Sequence, residues 1–146
     1  MYYYMDTSAL IKKYIDEVGS TQVRELIASD DNEAIVTALI TQAETGAALA
    51  AKVRNHTLSK TDYDQIISEL DDDFSDNYTY IDLEYDIVTL AIKLAEKHKL
   101  RGYDSVQLAT AVQSQTLYTP MKFVCADRNL LNAAINEGFE VIEPLT

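Results

Sequence analysis

Short apolar runs alternate with amphipathic stretches along the whole chain, and this alternation restricts the fold more than any other feature. Tyr2–Met5, Ala34–Ala38, Thr79–Leu83, Lys122–Ala126 and Glu140–Ile142 read as strands, being short and rich in aromatic and β-branched residues. Between them lie segments with helical spacing: Thr7–Ile15, broken by Gly19 and Ser20, then Thr21–Ala28, Thr41–Val53, Lys60–Phe74, Glu84–Lys99, Asp104–Leu117 and Asp127–Glu137. In Glu84–Lys99 the residues Ile87, Leu90, Ala91, Leu94 and Ala95 form one apolar stripe. Ser59 with Asp62 offers a cap for the fourth helix, and Arg101-Gly102 reads as the stop of the fifth. With only 4 Gly and 2 Pro, there is little to interrupt helices. Strands separated by helices imply parallel pairing with right-handed crossovers, giving an α/β chain with helices on both faces of the sheet. Residues 1–146 are expected to form one domain, since 146 residues suffice for one core and show no linker or repeat.

Charge and cysteine content exclude several functions. The 24 acidic and 12 basic residues give a net charge of −12, opposite in sign to a protein that coats nucleic acid by neutralising phosphates. Any contact with nucleic acid must be local. Cys125 is the only cysteine, which fits a reducing compartment. No apolar run approaches the ~18 residues of a membrane span. The N-terminus has neither the basic nor the apolar region of a signal peptide. A cytoplasmic protein without membrane contact is expected.

In open parallel sheets ligands bind beyond the carboxyl ends of the strands, where strand order reverses. Three aspartates stand at such places: Asp6 after the first strand, Asp127 after the fourth, and Asp104 at the start of a helix. Each also has a plain structural explanation, because Asp is a preferred N-cap, and Asp104 with Gln107 has capping-box spacing. Glu44 is different. Its helical neighbours Ile40, Thr41, Ala47 and Ala48 are small or apolar, and a carboxylate on such a packing face is costly unless paired, protonated or bound to a cation. The alternative is a solvent-facing Glu44. If the four acids meet, they form an oxygen-only site of the kind Mg²⁺ or Mn²⁺ prefers, and their mutual repulsion destabilises the site without metal. A divalent ion there can activate water against a phosphodiester.

Four segments resemble the PIN domain, and more closely the VapC-type toxin ribonucleases. They are Tyr4-Met5-Asp6-Thr7-Ser8-Ala9-Leu10, the helix around Glu44, Leu100-Arg101-Gly102-Tyr103-Asp104-Ser105-Val106-Gln107-Leu108-Ala109-Thr110-Ala111, and Phe123-Val124-Cys125-Ala126-Asp127-Arg128-Asn129-Leu130-Leu131. The likeness runs from Tyr2 to about Pro144. It implies a three-layer α/β/α sandwich with central parallel sheet order 3-2-1-4-5, and a metal-dependent endoribonuclease. Asp6, Glu44, Asp104 and Asp127 match the family's four acidic positions, with Asp6 and Asp104 as direct metal ligands. Ser8 matches a supporting hydroxyl. The resemblance further implies homodimers silenced by a cognate antitoxin protein. Setting the four site acids aside still leaves a charge of about −8, which implies a restricted RNA substrate or a basic partner.

The remaining features have simpler readings. Arg101 and Arg128 flank two of the acids and suit phosphate contacts, although Arg101 also suits a helix C-terminus. Asp71, Asp72 and Asp73 do not begin an EF-hand, which needs Gly sixth and Glu twelfth where this chain has Asp76 and Asp82; a solvated helix end is expected, and Asp82 is taken as structural. His56 and His98 are expected at the surface, Cys125 in the core, and Tyr2, Tyr3 and Tyr4 in a strand buried on both faces. An aspartyl phosphatase would need a second acid two residues after Asp6, where Ser8 stands. A non-catalytic PIN-like module that binds RNA or protein remains the alternative, which a metal-dependent cleavage assay separates.

Overall fold

A computed structural model describes residues 1–146. Strands β1 (Tyr2–Met5), β2 (Ala34–Ala38), β3 (Tyr78–Ile81), β4 (Met121–Val124) and β5 (Glu140–Ile142) form one parallel sheet in the order β3-β2-β1-β4-β5. The helices are α1 (Thr7–Leu10), continued by a 3₁₀ turn at Ile11–Lys13, α2 (Ser20–Ala28), α3 (Ile40–Arg54), α4 (Lys60–Asp76), α5 (Tyr85–His98), α6 (Gly102–Ser114) and α7 (Arg128–Asn136). The expected three-layer sandwich and its strand order are present.

The two-residue period of the strands divides the core in two. Tyr4, Val36 and Phe123 are aligned across β1, β2 and β4 and point to the face covered by α5, α6 and α7. Tyr4 and Phe123 are fully buried and stack with ring centroids 5.3 Å apart. Tyr3, Met5, Ile35 and Val124 point to the opposite face, against Leu10, Tyr14, Leu70 and Phe74. Burying each large side chain contributes ~1.5–3 kcal/mol. A one-residue slip of β1 would exchange its two faces, so packing fixes its register. That register brings Asp6, at the end of β1, beside the end of β4. Strand order reverses between β1 and β4, and a crevice opens there.

Several boundaries differ from the sequence reading. Helix α5 ends on Lys99, which takes the left-handed conformation (φ 56°), and Gly102 instead opens α6. Arg101 is therefore an N-cap and not a helix C-terminal charge. Strand β3 stops at Ile81 and β4 at Val124, each before its expected end. His98 is not at the surface: its side chain is 6% exposed and bonds Glu137 at 2.7 Å. Asp73 is not solvated either. It is buried, pairs with Lys13, and accepts hydrogen bonds from Tyr14 (2.7 Å) and Asn77 (2.8 Å). Lys13 and Tyr14 for Asp73, and Glu137 for His98, come from distant segments, which local charge patterning does not reveal. The three tyrosines of β1 and Cys125 lie as expected, with Tyr3, Tyr4 and Cys125 buried.

Candidate active site

Asp6, Glu44, Asp104 and Asp127 line one cleft at the reversal point, together with Thr7, Ser8 and Gln107. Asp6 ends β1 and caps α1, accepting from the Ala9 amide at 3.1 Å. The Ser8 hydroxyl lies 2.8 Å from both Asp6 oxygens, and the Cys125 thiol reaches Oδ2 at 3.4 Å. The Ala126 amide donates to Ser8 Oγ at 2.9 Å, tying the end of β4 to the Asp6 loop. Asp6 is 3% exposed, and burial raises its carboxyl to about 6 despite these donors.

Glu44 projects from α3, and its neighbours neither leave it in solvent nor bury it unpaired. Thr7 Oγ1 and Gln107 Nε2 each donate to Glu44 Oε1 at 2.9 Å. Gln107 also donates to Thr41 at 2.9 Å, while its carbonyl accepts from Tyr4 at 2.7 Å. Sequence reading treated Gln107 only as a capping partner. Its signal was available: an amide one turn beyond Asp104, among Val106, Leu108 and Ala109, must find hydrogen bonds inside the protein.

Asp104 lies in the first turn of α6 and does not cap it, so its carboxylate faces the cleft. Burial, then the nearby Asp127 and Glu44, raise its carboxyl above the usual range, while Arg101 opposes this. Asp127 caps α7, donated to by the Leu130 amide at 3.1 Å. The cap and site readings are thus compatible for Asp127, whose cap occupies one oxygen and leaves the other, and Asp6 lines the cleft while its two oxygens accept from Ala9, Ser8 and Cys125. Arg101 Nε stands 3.9 Å from Asp104, and Arg128 pairs with Glu143 at 3.3 Å. Both arginines are largely exposed.

The donor set is oxygen only, and Asp104 titrates under the influence of two neighbouring acids. That chemistry fits a hard divalent cation. As the side chains stand, no three acidic, imidazole or thiol groups converge on one coordination point.

The sequence profile of the PIN domain matches residues 3–139. The chain belongs to the PIN domain family. Ribonuclease VapC45 of Mycobacterium tuberculosis (strain CDC 1551 / Oshkosh) is 32% identical over 112 residues, 75% of this PIN chain and 74% of the relative. FitAcB from Neisseria gonorrhoeae superposes with a TM-score of 0.71 at 16% identity, covering 97% of each chain. A toxin-antitoxin complex from Klebsiella pneumoniae superposes at 0.57 with 21% identity, again covering 97% of each. At these identities the two solved structures speak for the PIN fold alone. No helix of this PIN domain is long and apolar enough to cross a membrane.

Proposed function

We propose that residues 1–146 form a single metal-dependent endoribonuclease domain that hydrolyses RNA phosphodiesters and serves as the toxin of a cytoplasmic toxin–antitoxin pair. The observation that carries this reading is that Asp6, Glu44, Asp104 and Asp127 all line one cleft where the strand order reverses. The relative named a ribonuclease supports RNA as substrate, and the toxin-antitoxin complex of the same fold supports an antitoxin partner. Tyr85, Val88 and Ile92 expose an apolar stripe on α5, which supports a homodimer.

Mg²⁺ or Mn²⁺ bound by Asp6 and Asp104, with Glu44 and Asp127, would polarise a phosphate oxygen and lower the pKa of an attacking water. The chain itself supplies position and charge. Ser8 and the Ala9 amide fix the orientation of Asp6, and Thr7 with Gln107 fixes Glu44. Arg101 and Arg128 stand at the N-termini of α6 and α7, where a helix dipole disfavours cations. Contact with a phosphate would offset that cost and hold the scissile strand over the acids.

The test is RNA cleavage in Mg²⁺ or Mn²⁺ by wild type, Asp6→Asn and Asp104→Asn, with circular dichroism to check folding. Wild type is expected to cleave, and both folded variants to lose activity at least a hundredfold. Full activity of either variant would overturn the assignment. A wild type that binds RNA yet never cleaves it would establish a non-catalytic PIN module instead.

A further inference from the structure

A second polar groove lies between the C-terminal end of α5 and the exposed face of α7. Lys97, His98 and Lys99 line one wall, and Asn129, Asn132 and Asn136 line the other. The asparagines are spaced i, i+3 and i+7, so they form one stripe along α7. Asn129 follows Asp127 by two residues. The stripe therefore begins at the acidic cleft and runs away from it down the helix.

Three features of this groove are not explained by folding. First, Lys97, Lys99 and Arg101 crowd into five residues without an acid, in a chain of net charge −12. The α5 dipole accounts for Lys97 and His98 in its last turn. It also favours Lys99 at the C-cap, but not Arg101, which opens α6. Second, Lys99 occupies the left-handed position that glycine takes at least cost. Third, asparagine is a poor helix former, and α7 carries three on one exposed face of nine residues. Glu137, beside the groove, pairs with Lys97 (2.7 Å) and is hydrogen-bonded to the His98 ring (2.7 Å).

We propose that this groove holds the backbone of a single RNA strand on one side of the cleavage site, with Lys99 on a phosphate and the α7 asparagines on sugar or base edges. Side-chain amides offer both donors and acceptors, as nucleotides require, whereas an acidic peptide would need cations alone. The substrate assignment rests on the ribonuclease reading, but strand binding can be measured without cleavage.

The experiment uses a labelled 15-nucleotide single-stranded RNA in EDTA, so that no cleavage intervenes. The variants are Lys99→Gly, Asn132→Ala and their combination. Each replaces a residue poorly suited to its backbone position by a better one, so Tm is expected to hold or rise. The double variant is expected to bind at least fivefold more weakly. Its binding should also lose ~0.7 from the slope of log affinity against log salt for the one phosphate contact removed. Unchanged affinity and slope would overturn the proposal, as would wild type that binds no RNA in EDTA at low salt. Displacement by polyglutamate as readily as by unlabelled RNA would overturn it in favour of an acidic protein partner. Weaker binding by the double variant, with no cleavage by wild type in Mg²⁺ or Mn²⁺, would keep the groove and remove the ribonuclease reading.

Discussion

Replacing Asp6 by asparagine tests the physical state of the most buried site acid. Burial raises the Asp6 carboxyl from 3.8 to about 6 in the folded protein. At ~1.36 kcal/mol per pH unit, this corresponds to about 3 kcal/mol of differential stability. Between pH ~4 and ~6 the folded state holds more protons at Asp6 than the unfolded chain does. Its contribution is therefore fully present below pH ~4, is lost as pH rises to ~6, and is constant above. The asparagine side chain does not titrate, so the stability of Asp6→Asn relative to wild type should climb by about 3 kcal/mol across that window. Asparagine keeps one acceptor oxygen for the Ala9 amide, so only the bonds to the second oxygen, from Ser8 and Cys125, are lost, an offset of ~1 kcal/mol against the variant. The slope of the difference is thus the test. Urea unfolding of both proteins in EDTA at pH 4, 5, 6 and 7 gives it, with other titrating groups cancelling between them. A difference that stays flat from pH 4 to 7 would refute the argument, since Asp6 would then be ionised throughout.

Mn²⁺ at a hundredfold excess over its dissociation constant should stabilise wild type by ~2.7 kcal/mol, read as a rise in Tm that Asp6→Asn largely abolishes. Gln107→Leu leaves the buried Tyr4 hydroxyl without its acceptor and removes one of the two donors to Glu44, and should cost about 1–3 kcal/mol in urea unfolding. Adding Tyr4→Phe should cost less than the sum of the single variants, because it removes one stranded group. Gly19→Ala forces alanine to φ 94° and places its Cβ 2.5 Å from the Pro144 carbonyl oxygen. It should lower stability by ~1–3 kcal/mol while leaving RNA cleavage by the folded protein unchanged.

The sheet was legible because its information is local. Short aromatic and β-branched runs in β1, β2 and β4 and the acids at strand ends need no knowledge of partners, and strand order followed from the family resemblance. Helix ends were less legible. Gly102 carried the expected stop signal, yet Lys99 adopted the left-handed turn three residues earlier. That shift moved Asp104 out of the cap position and into the first turn, where it faces the cleft. Asp73 and His98 were misread for one reason. Their partners, Lys13, Tyr14 and Glu137, are 60, 59 and 39 residues away, and only the tertiary fold brings them together.

The four acids were visible, but the way the fold holds them was not, and that difference bears on the chemistry. Asp6 and Glu44 are each gripped by protein donors: a hydroxyl and an amide for Asp6, a hydroxyl and a side-chain amide for Glu44. Their oxygens are set before anything binds. Asp104 has no such donor and only a 3.9 Å approach from Arg101, so its charge is balanced weakly. Held acids oppose collapse of the cleft, while a loosely balanced one can still adjust to an incoming cation. Gln107 joins the two halves of this arrangement. It stands one turn beyond Asp104 on α6, bonds Glu44 on α3, and is anchored by Tyr4 in β1. A change at Gln107 is therefore expected to loosen Glu44 relative to Asp104 without touching either carboxylate.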